Sequence, residues 1–223
     1  MNGVDFWTVS QKTGRYRLKS PPQVDHAKGS IRLDLDMAAP SGQVLGSLIE
    51  QYTFTAAGEN RLVDITVRIL ADRGNEIRMG DSREGVMGFR VAEELTEPKG
   101  ATLLNSEGGL GEKQIWGKRA RWVDYSGKVE GVPVGVAMFD HPSNPKHPTF
   151  WMARGYGLLA ANAFGEREFT GDDSRDGSLT IPAGGSLQFR YRLVIHPGDA
   201  RAANLAAMYA RFAGQKPAAA KAR

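Results

Sequence analysis

At 223 residues, 41% hydrophobic and 24% charged, the chain is long enough for one large domain with a substantial core. It has no cysteine, which excludes disulfides, thiolate metal ligands and a cysteine nucleophile. No apolar run approaches the ~20 residues that a membrane-spanning helix needs. Of the net charge of +4, Lys216, Lys221 and Arg223 near the C-terminus supply three positive charges. The rest is close to neutral and lacks the basic, aromatic-interleaved patch of a nucleic-acid surface.

The first residues, with Asp5 and Trp7 and no apolar stretch, do not read as a secretory signal. Ser30 to Asp36 then alternates strictly, with Ile31, Leu33 and Leu35 on one face, and predicts a strand. Leu48 to Phe54 and Arg61 to Leu70 continue the pattern, the second with Val63, Ile65, Val67 and Ile69 in register. Ala57 to Asn60, with Gly58 inside, reads as their hairpin turn. Glu76 to Met79, Val86 to Val91, Ala120 to Tyr125 and Val132 to Phe139 read as further strands, with a second turn expected at Tyr125 to Lys128. Late in the chain Leu187, Phe189, Tyr191, Leu193 and Ile195 alternate with polar or smaller neighbours.

Strands that recur with Gly and Pro punctuation and no helices between them point to a mainly β fold, a large antiparallel β-sandwich, rather than a parallel α/β fold. One helix follows. Asp199 is positioned to cap it, Leu205, Met208, Tyr209 and Phe212 form its apolar stripe, and Gly214 ends it. Residues 1–214 read as a single domain and 215–223 as a disordered basic tail.

The chemistry concentrates in Asp140 to Arg154, which packs Asp140, His141, Asn144, His147, Trp151 and Arg154 beside three prolines. Proline fixes φ and removes a backbone donor. This run therefore reads as a stiff, exposed loop holding polar groups in place, and such loops carry function more often than connection. His141 and His147, with Asp140 as a third donor, form at most a weak divalent-metal site, because prolines exclude the helical spacing of a recognised motif. The alternative for the imidazoles is to lock the loop through backbone hydrogen bonds. His26 follows two prolines in a loop and could join the site, whereas His196 sits at a strand end and reads as structural.

Glu84, in Gly80-Asp81-Ser82-Arg83-Glu84-Gly85 just before a strand, suits acid–base work if burial raises its pKa, with Asp81 as its partner. The other reading is a turn, with Glu84 paired to Arg83 or Arg90. Arg90 and Arg154 can clamp a carboxylate or sugar hydroxyls through a planar fork of donors. Trp116, Trp122 and Trp151 are candidate platforms for a sugar ring, with at least one of them in the core and Trp116 the best placed for exposure. Asn144 and Asn162 can read hydroxyls or make turns. Gly108 to Gly111 lacks the Lys-Ser/Thr of a phosphate loop and reads as a flexible connector. No Gly-x-Ser-x-Gly elbow is present.

Asp-His-Pro-x-Asn-Pro-x-His-Pro-Thr-x-Trp-x-x-Arg at 140–154 resembles the signature of the bacterial family labelled "methane oxygenase PmoA-like". Gly80 to Gly85 with Phe89 to Ala92, Trp116 to Ala120 with Trp122 to Tyr125, and Gly155 to Gly157 with Ala161 to Gly165 agree with it. The resemblance covers nearly the whole chain from Asn2. It implies a sandwich in the style of galactose mutarotases, and a preceding His-rich segment that this chain, read as N-terminally truncated, would lack. Such a segment could have carried an export signal, so the compartment is left open between cytoplasm and periplasm.

The resulting expectation is a carbohydrate-active enzyme: an epimerase, a lyase or hydratase, or a hydrolase. Its catalytic residues would be Glu84, His141 and His147. Its substrate-binding residues would be Arg90, Asn144, Trp116, Trp151 and Arg154. The partner is a small-molecule carbohydrate, not nucleic acid or membrane, and unpaired strand edges would allow self-association. No cofactor is required, although a divalent metal fits the weak site. A non-catalytic carbohydrate-binding module is the second reading and a metal-dependent oxygenase the third.

Overall fold

The computed structural model describes residues 1–215, so all of the expected tail but Gln215 lies outside the described residues. The strands are β1 (Arg15–Leu18), β2 (Gln23–Asp25), β3 (Ser30–Ala38), β4 (Val44–Ala57), β5 (Asn60–Leu70), β6 (Ile77–Met79), β7 (Met87–Arg90), β8 (Thr102–Asn105), β9 (Trp122–Val129), β10 (Val132–Asp140), β11 (Phe150–Ala153), β12 (Leu158–Asn162), β13 (Leu179–Ile181) and β14 (Ser186–Pro197). The helices are α1 (Glu112–Ile115), α2 (Glu166–Thr170) and α3 (Leu205–Ala213). None is long and apolar enough to cross a membrane.

Nine strands form one antiparallel sheet in the order β1-β3-β4-β5-β14-β10-β9-β8, with β2 beside β1 on β3. The late strand β14 inserts between β5 and β10, so that Tyr191 stands opposite Ile65 on one side and Asp140 on the other. A second sheet has the order β11-β12-β7, and β6 pairs with β13.

Period-2 alternation sends side chains to two different cores. On one face Ile65, Val67 and Ile69 of β5, Val123 and Tyr125 of β9, and Phe189 and Tyr191 of β14 pack against Trp151, Leu159 and Ala161 of the small sheet and Ile77 and Ile181 of the strand pair. This is the sandwich interior. On the other face Leu62, Trp122, Ala137, Phe139 and Val194 meet Leu205, Met208, Tyr209 and Phe212 of α3. Burying each large apolar side chain contributes about 1.5–3 kcal/mol, so both faces of the central strands hold the fold together. The mainly β, antiparallel sandwich and the C-terminal helix are as the sequence led us to expect, with two short helices in addition.

Three local expectations are corrected. Tyr125 to Lys128 is not a turn but part of β9. The hairpin turns at Glu130 and Gly131, both at positive φ (51° and 81°), the geometry of a two-residue turn that matches strand twist. Asp199 caps a preceding turn, its Oδ1 accepting from the N–H groups of Arg201 and Ala202, and α3 itself begins only after Asn204. The Pro-rich run is not an exposed loop. Within 141–149 only Pro142 and Ser143 are exposed, and Phe150–Ala153 is a fully buried strand.

Candidate functional site

The more voluminous of two clefts lies at the tip of the β11–β12 hairpin. It is a cleft of about 1140 Å³ walled by Glu97 and Pro98, the Leu110–Gln114 segment, Trp116, and Arg154, Gly155 and Tyr156. Each part is placed by a local device. Glu97 opens a short 3-10 turn with Pro98 behind it, and its N–H donates to the Gly155 carbonyl at 2.9 Å. Gly111, at φ 75°, leads into α1, where any Cβ would approach Glu97 Oε1 to 2.8 Å. Trp116 ends α1 and packs edge-on against Phe169. Tyr125 Oη anchors the hairpin base by donating to the Arg154 and Leu158 carbonyls.

The charged groups interlock. The Glu97 carboxylate accepts from the Glu112 N–H at 3.2 and 3.3 Å. Glu112 accepts from Arg154 Nη1 at 2.9 Å and from the Gly155 N–H at 2.6 Å. Burial alone would raise the Glu112 carboxyl, but the Gly155 N–H and the Arg154 guanidinium outweigh it and hold it below the usual value. Arg154 also lies over the Trp116 ring, 5.3 Å from its centroid. A Cβ on Gly155 would sit 2.5 Å from Glu97 Oε2 and 3.3 Å from Glu112 Oε2, so these oxygens are no more than about 6 Å apart and both carboxylates face the same turn. Trp116 Nε1 is buried and, among the described residues, has no hydrogen-bond partner. Tyr156 and Leu110 are more than half exposed, and Arg90 stacks on Tyr156 at 5.3 Å.

Of the sequence-predicted residues, this cleft gathers Trp116 and Arg154, with Arg90 at its rim. The others lie elsewhere. Trp151 is fully buried in the sandwich core and donates Nε1–H to the Ala120 carbonyl, so it offers no face to a ligand. Trp122 is buried beneath α3. Asn144 is buried, its amide donating to Asp140 Oδ1 and the Arg190 carbonyl and its Oδ1 accepting from the Arg190 N–H, each at 2.7 Å. It locks the loop to β14 and has nothing left for a substrate.

His141 and His147 line neither this cleft nor the one described below. His147 Nδ1 pairs with Asp140 Oδ2 at 2.7 Å. His141 is held between Ser143 and the Gln215 carbonyl, and burial together with the Arg190 charge pushes its pKa down. The Asp140 carboxylate is consumed by Asn144, His147 and the Thr149 N–H. Among the described residues no group of three or more His, Asp or Glu side chains is arranged to hold a metal ion. In this structure Asp140, His141 and His147 serve to lock the segment to its neighbours. His26 is exposed in the β2–β3 turn, and Asn162 staples the Phe164–Gly165 turn.

The model of the family of unknown function DUF6807 matches residues 1–210. The chain belongs to that family. No curated protein matches it. Among solved structures it is similar to the GH36 alpha-galactosidase AgaA of Geobacillus stearothermophilus in complex with raffinose, at 11% identity and TM-score 0.40, over 83% of this chain and 27% of that one. It is also similar to a galactose mutarotase related enzyme from Lactobacillus acidophilus, at 10% identity and TM-score 0.36, over 82% of this chain and 72% of that one. The chain thus spans about a quarter of the galactosidase.

Within this DUF6807 chain, sequence reasoning missed Glu97, Glu112 and Tyr156. Usable signals existed. Glu97-Pro98 marks a turn start, and Gly111-Glu112 closes a glycine-rich segment. That segment is ordered rather than flexible, because Asn105 Oδ1 accepts from the Gly109 N–H at 2.8 Å.

Glu84 stands in a separate, smaller cleft of about 550 Å³ between the N-terminal arm and the large sheet. Burial pushes its carboxyl pKa up, against the pull of Arg83. Asp81 lines the same cleft but is not its catalytic partner, since Asp81 Oδ2 accepts from the Arg167 and Gly177 N–H groups. Gly85 touches this cleft and Arg90 the other; five residues of near-extended chain put them about 15 Å apart. The two clefts share no lining residue.

Proposed function

We propose that this protein is carbohydrate-active and takes a sugar ring into the Trp116 cleft, with Glu97 and Glu112 as the paired carboxylates of a sugar-modifying enzyme. The observation that carries this reading is the joint presence, in one open cleft, of a tryptophan, an exposed tyrosine and two carboxylate oxygens no more than about 6 Å apart. A sugar presents an apolar C–H face to an aromatic ring and a rim of hydroxyls to charged acceptors. Arg154 holds Glu112 ionised, which suits a base or nucleophile and not a proton donor.

A non-catalytic carbohydrate-binding module is the second reading. It is favoured by the Glu112 carboxylate, whose two oxygens are already engaged by Arg154 and Gly155.

The test is a thermal melt against neutral hexoses, 3-keto sugars and sugar acids, followed by titration of whichever class raises the melting temperature. Trp116→Ala should weaken that sugar by about tenfold or more, the worth of a lost aromatic platform. Glu112→Gln should abolish turnover while leaving binding measurable. Binding without turnover in the unaltered protein would favour the module. A melt indifferent to every sugar would overturn the carbohydrate reading.

A further inference from the structure

The Glu84 cleft has a composition of its own. Its floor is apolar, made by Leu48 of β4 and Val67 and Ile69 of β5. Its walls are aromatic: Phe6 and Trp7 of the N-terminal arm, and Tyr16 of β1. The arm is fixed over the sheet rather than loose. The Asn2 N–H donates to the Arg78 carbonyl, and Asn2 Oδ1 accepts the Arg78 N–H. Gly14 donates to the Asp5 carbonyl, and Phe6 fills the space that a Cβ on Gly14 would need. Trp7 packs over Gly88 of β7 and is 38% exposed, so part of it remains open to a ligand.

Into this cleft comes a carboxyl group without a hydrogen-bond partner. Glu84 meets only Arg83, whose Nε lies 3.7 Å from Oε1, too long for a hydrogen bond. Its Oε2 is enclosed and, among the described residues, has no partner. The neighbouring acids are already engaged. Asp5 Oδ1 accepts from the Trp7 and Thr8 N–H groups, Glu50 accepts from Tyr52 Oη, and Asp81 is held as described above. Among the described residues no Lys or Arg side chain lines the cleft, Arg83 approaching Glu84 from outside it. The Met1 amino group, which does line it, is turned to the Val4 carbonyl.

The Glu84 side chain keeps 32% of its surface exposed, but its Oε2 is enclosed, and an enclosed acceptor costs stability unless something donates to it. Aromatic faces beside it attract a cation, and the apolar floor selects a ligand with an apolar body. We propose that the Glu84 cleft is a second binding site, separate from the sugar cleft, for a protonated amine carried on an apolar group. The ammonium would donate to Glu84 and lie against Trp7 or Tyr16, while its apolar body covers Leu48, Val67 and Ile69. No covalent step is involved.

Benzylamine is the probe, with benzyl alcohol and benzoate as neutral and anionic matches of the same shape, each followed by amide and indole chemical shifts. Benzylamine should produce saturable shifts at the Trp7 indole and the Glu84–Val86 amides. Glu84→Gln should weaken it about tenfold or more, the loss of one charge-assisted hydrogen bond, and benzoate should give no shifts. The partly exposed Trp7→Ala, which leaves the carboxyl in place, should also weaken it, so a folding defect in one variant does not decide the matter. Equal shifts with benzyl alcohol, an undiminished response in Glu84→Gln, or shifts confined to other surfaces would each overturn the proposal.

Discussion

Two imidazole–carboxylate pairs serve structure here, and they differ in their setting. His196 of β14 reaches across Gly135 of β10 toward β9, its Nε2 2.9 Å from Asp124 Oδ1, with both side chains inaccessible to solvent. Gly135 lies against the imidazole, where a Cβ would overlap the ring. Burial works to lower the His196 pKa, but the Asp124 hydrogen bond and charge, helped by the Pro197 carbonyl, raise it above the ordinary histidine value. A group with a raised folded-state pKa contributes stability that is complete below its unfolded value, ~6.5. That stability is lost as pH rises through the folded value. The stability gap between the natural protein and His196→Gln should therefore be widest near pH 6, on the order of 3 kcal/mol, and should narrow toward pH 9. Urea unfolding at the two pH values measures it. A gap that is constant or grows with pH would mean that His196 is neutral when folded. The sequence position, a strand end before Pro197-Gly198, already suggested a structural role, but nothing local could reveal Asp124, 72 residues away.

At the scale of the element, the Pro-rich segment shows how a run dense in polar residues can be mistaken for a site. Its prolines do keep it out of regular structure, as the fixed φ and missing donors require. Exposure did not follow from that. Its polar groups turn inward: Asp140 gathers Asn144, His147 and the Thr149 N–H, and His147 Nε2 faces Tyr209 Oη of α3 at 3.4 Å. A segment without ladder hydrogen bonds must satisfy its backbone and its neighbours' otherwise, and here side chains do so. The segment is thereby clamped between β14 and α3. Asn144→Ala would leave the Asp140 Oδ1 acceptor and the Arg190 N–H without their partner, while the Arg190 C=O keeps only the longer bond from the His141 N–H at 3.2 Å. It should destabilise the protein by about 2–3 kcal/mol and leave the affinity for any bound sugar unchanged. Denaturant melts and a sugar titration of the same variant separate the two roles. Lost affinity with unaltered stability would restore Asn144 as a substrate ligand.

For the whole molecule, alternation made the sandwich legible. β3, β5 and β14 fall where period-2 patterns put them, because one buried face forces a strand's register. The short strands β1, β2, β11 and β13 have no such signature. Phe150–Ala153 is buried throughout, and a four-residue apolar run cannot show a period. The clefts were less legible still, because each is made by distant segments. Glu97, Glu112 and Arg154 meet only through the turn at Gly155, and Glu84 meets Trp7 and Tyr16 only through the N-terminal arm. Reading one loop as the site therefore merged two places that lie at opposite ends of the β11-β12-β7 sheet. That separation has a measurable consequence. Sites more than 7–10 Å apart with no shared partner act independently, within about 0.5 kcal/mol. Glu84→Gln should therefore leave sugar affinity and any turnover as they are, and Trp116→Ala should leave benzylamine binding as it is. Their effects on unfolding should add in the double variant. Two elements could couple them: the small sheet, since β7 and β12 run from one cleft to the other, and α2, whose Phe169 packs on Trp116 while its Glu168 lies 3.7 Å from Arg83, the neighbour of Glu84. A fall in turnover on Glu84→Gln with sugar affinity intact would show that these elements transmit between the clefts and that Glu84 belongs to the chemistry of the Trp116 cleft after all.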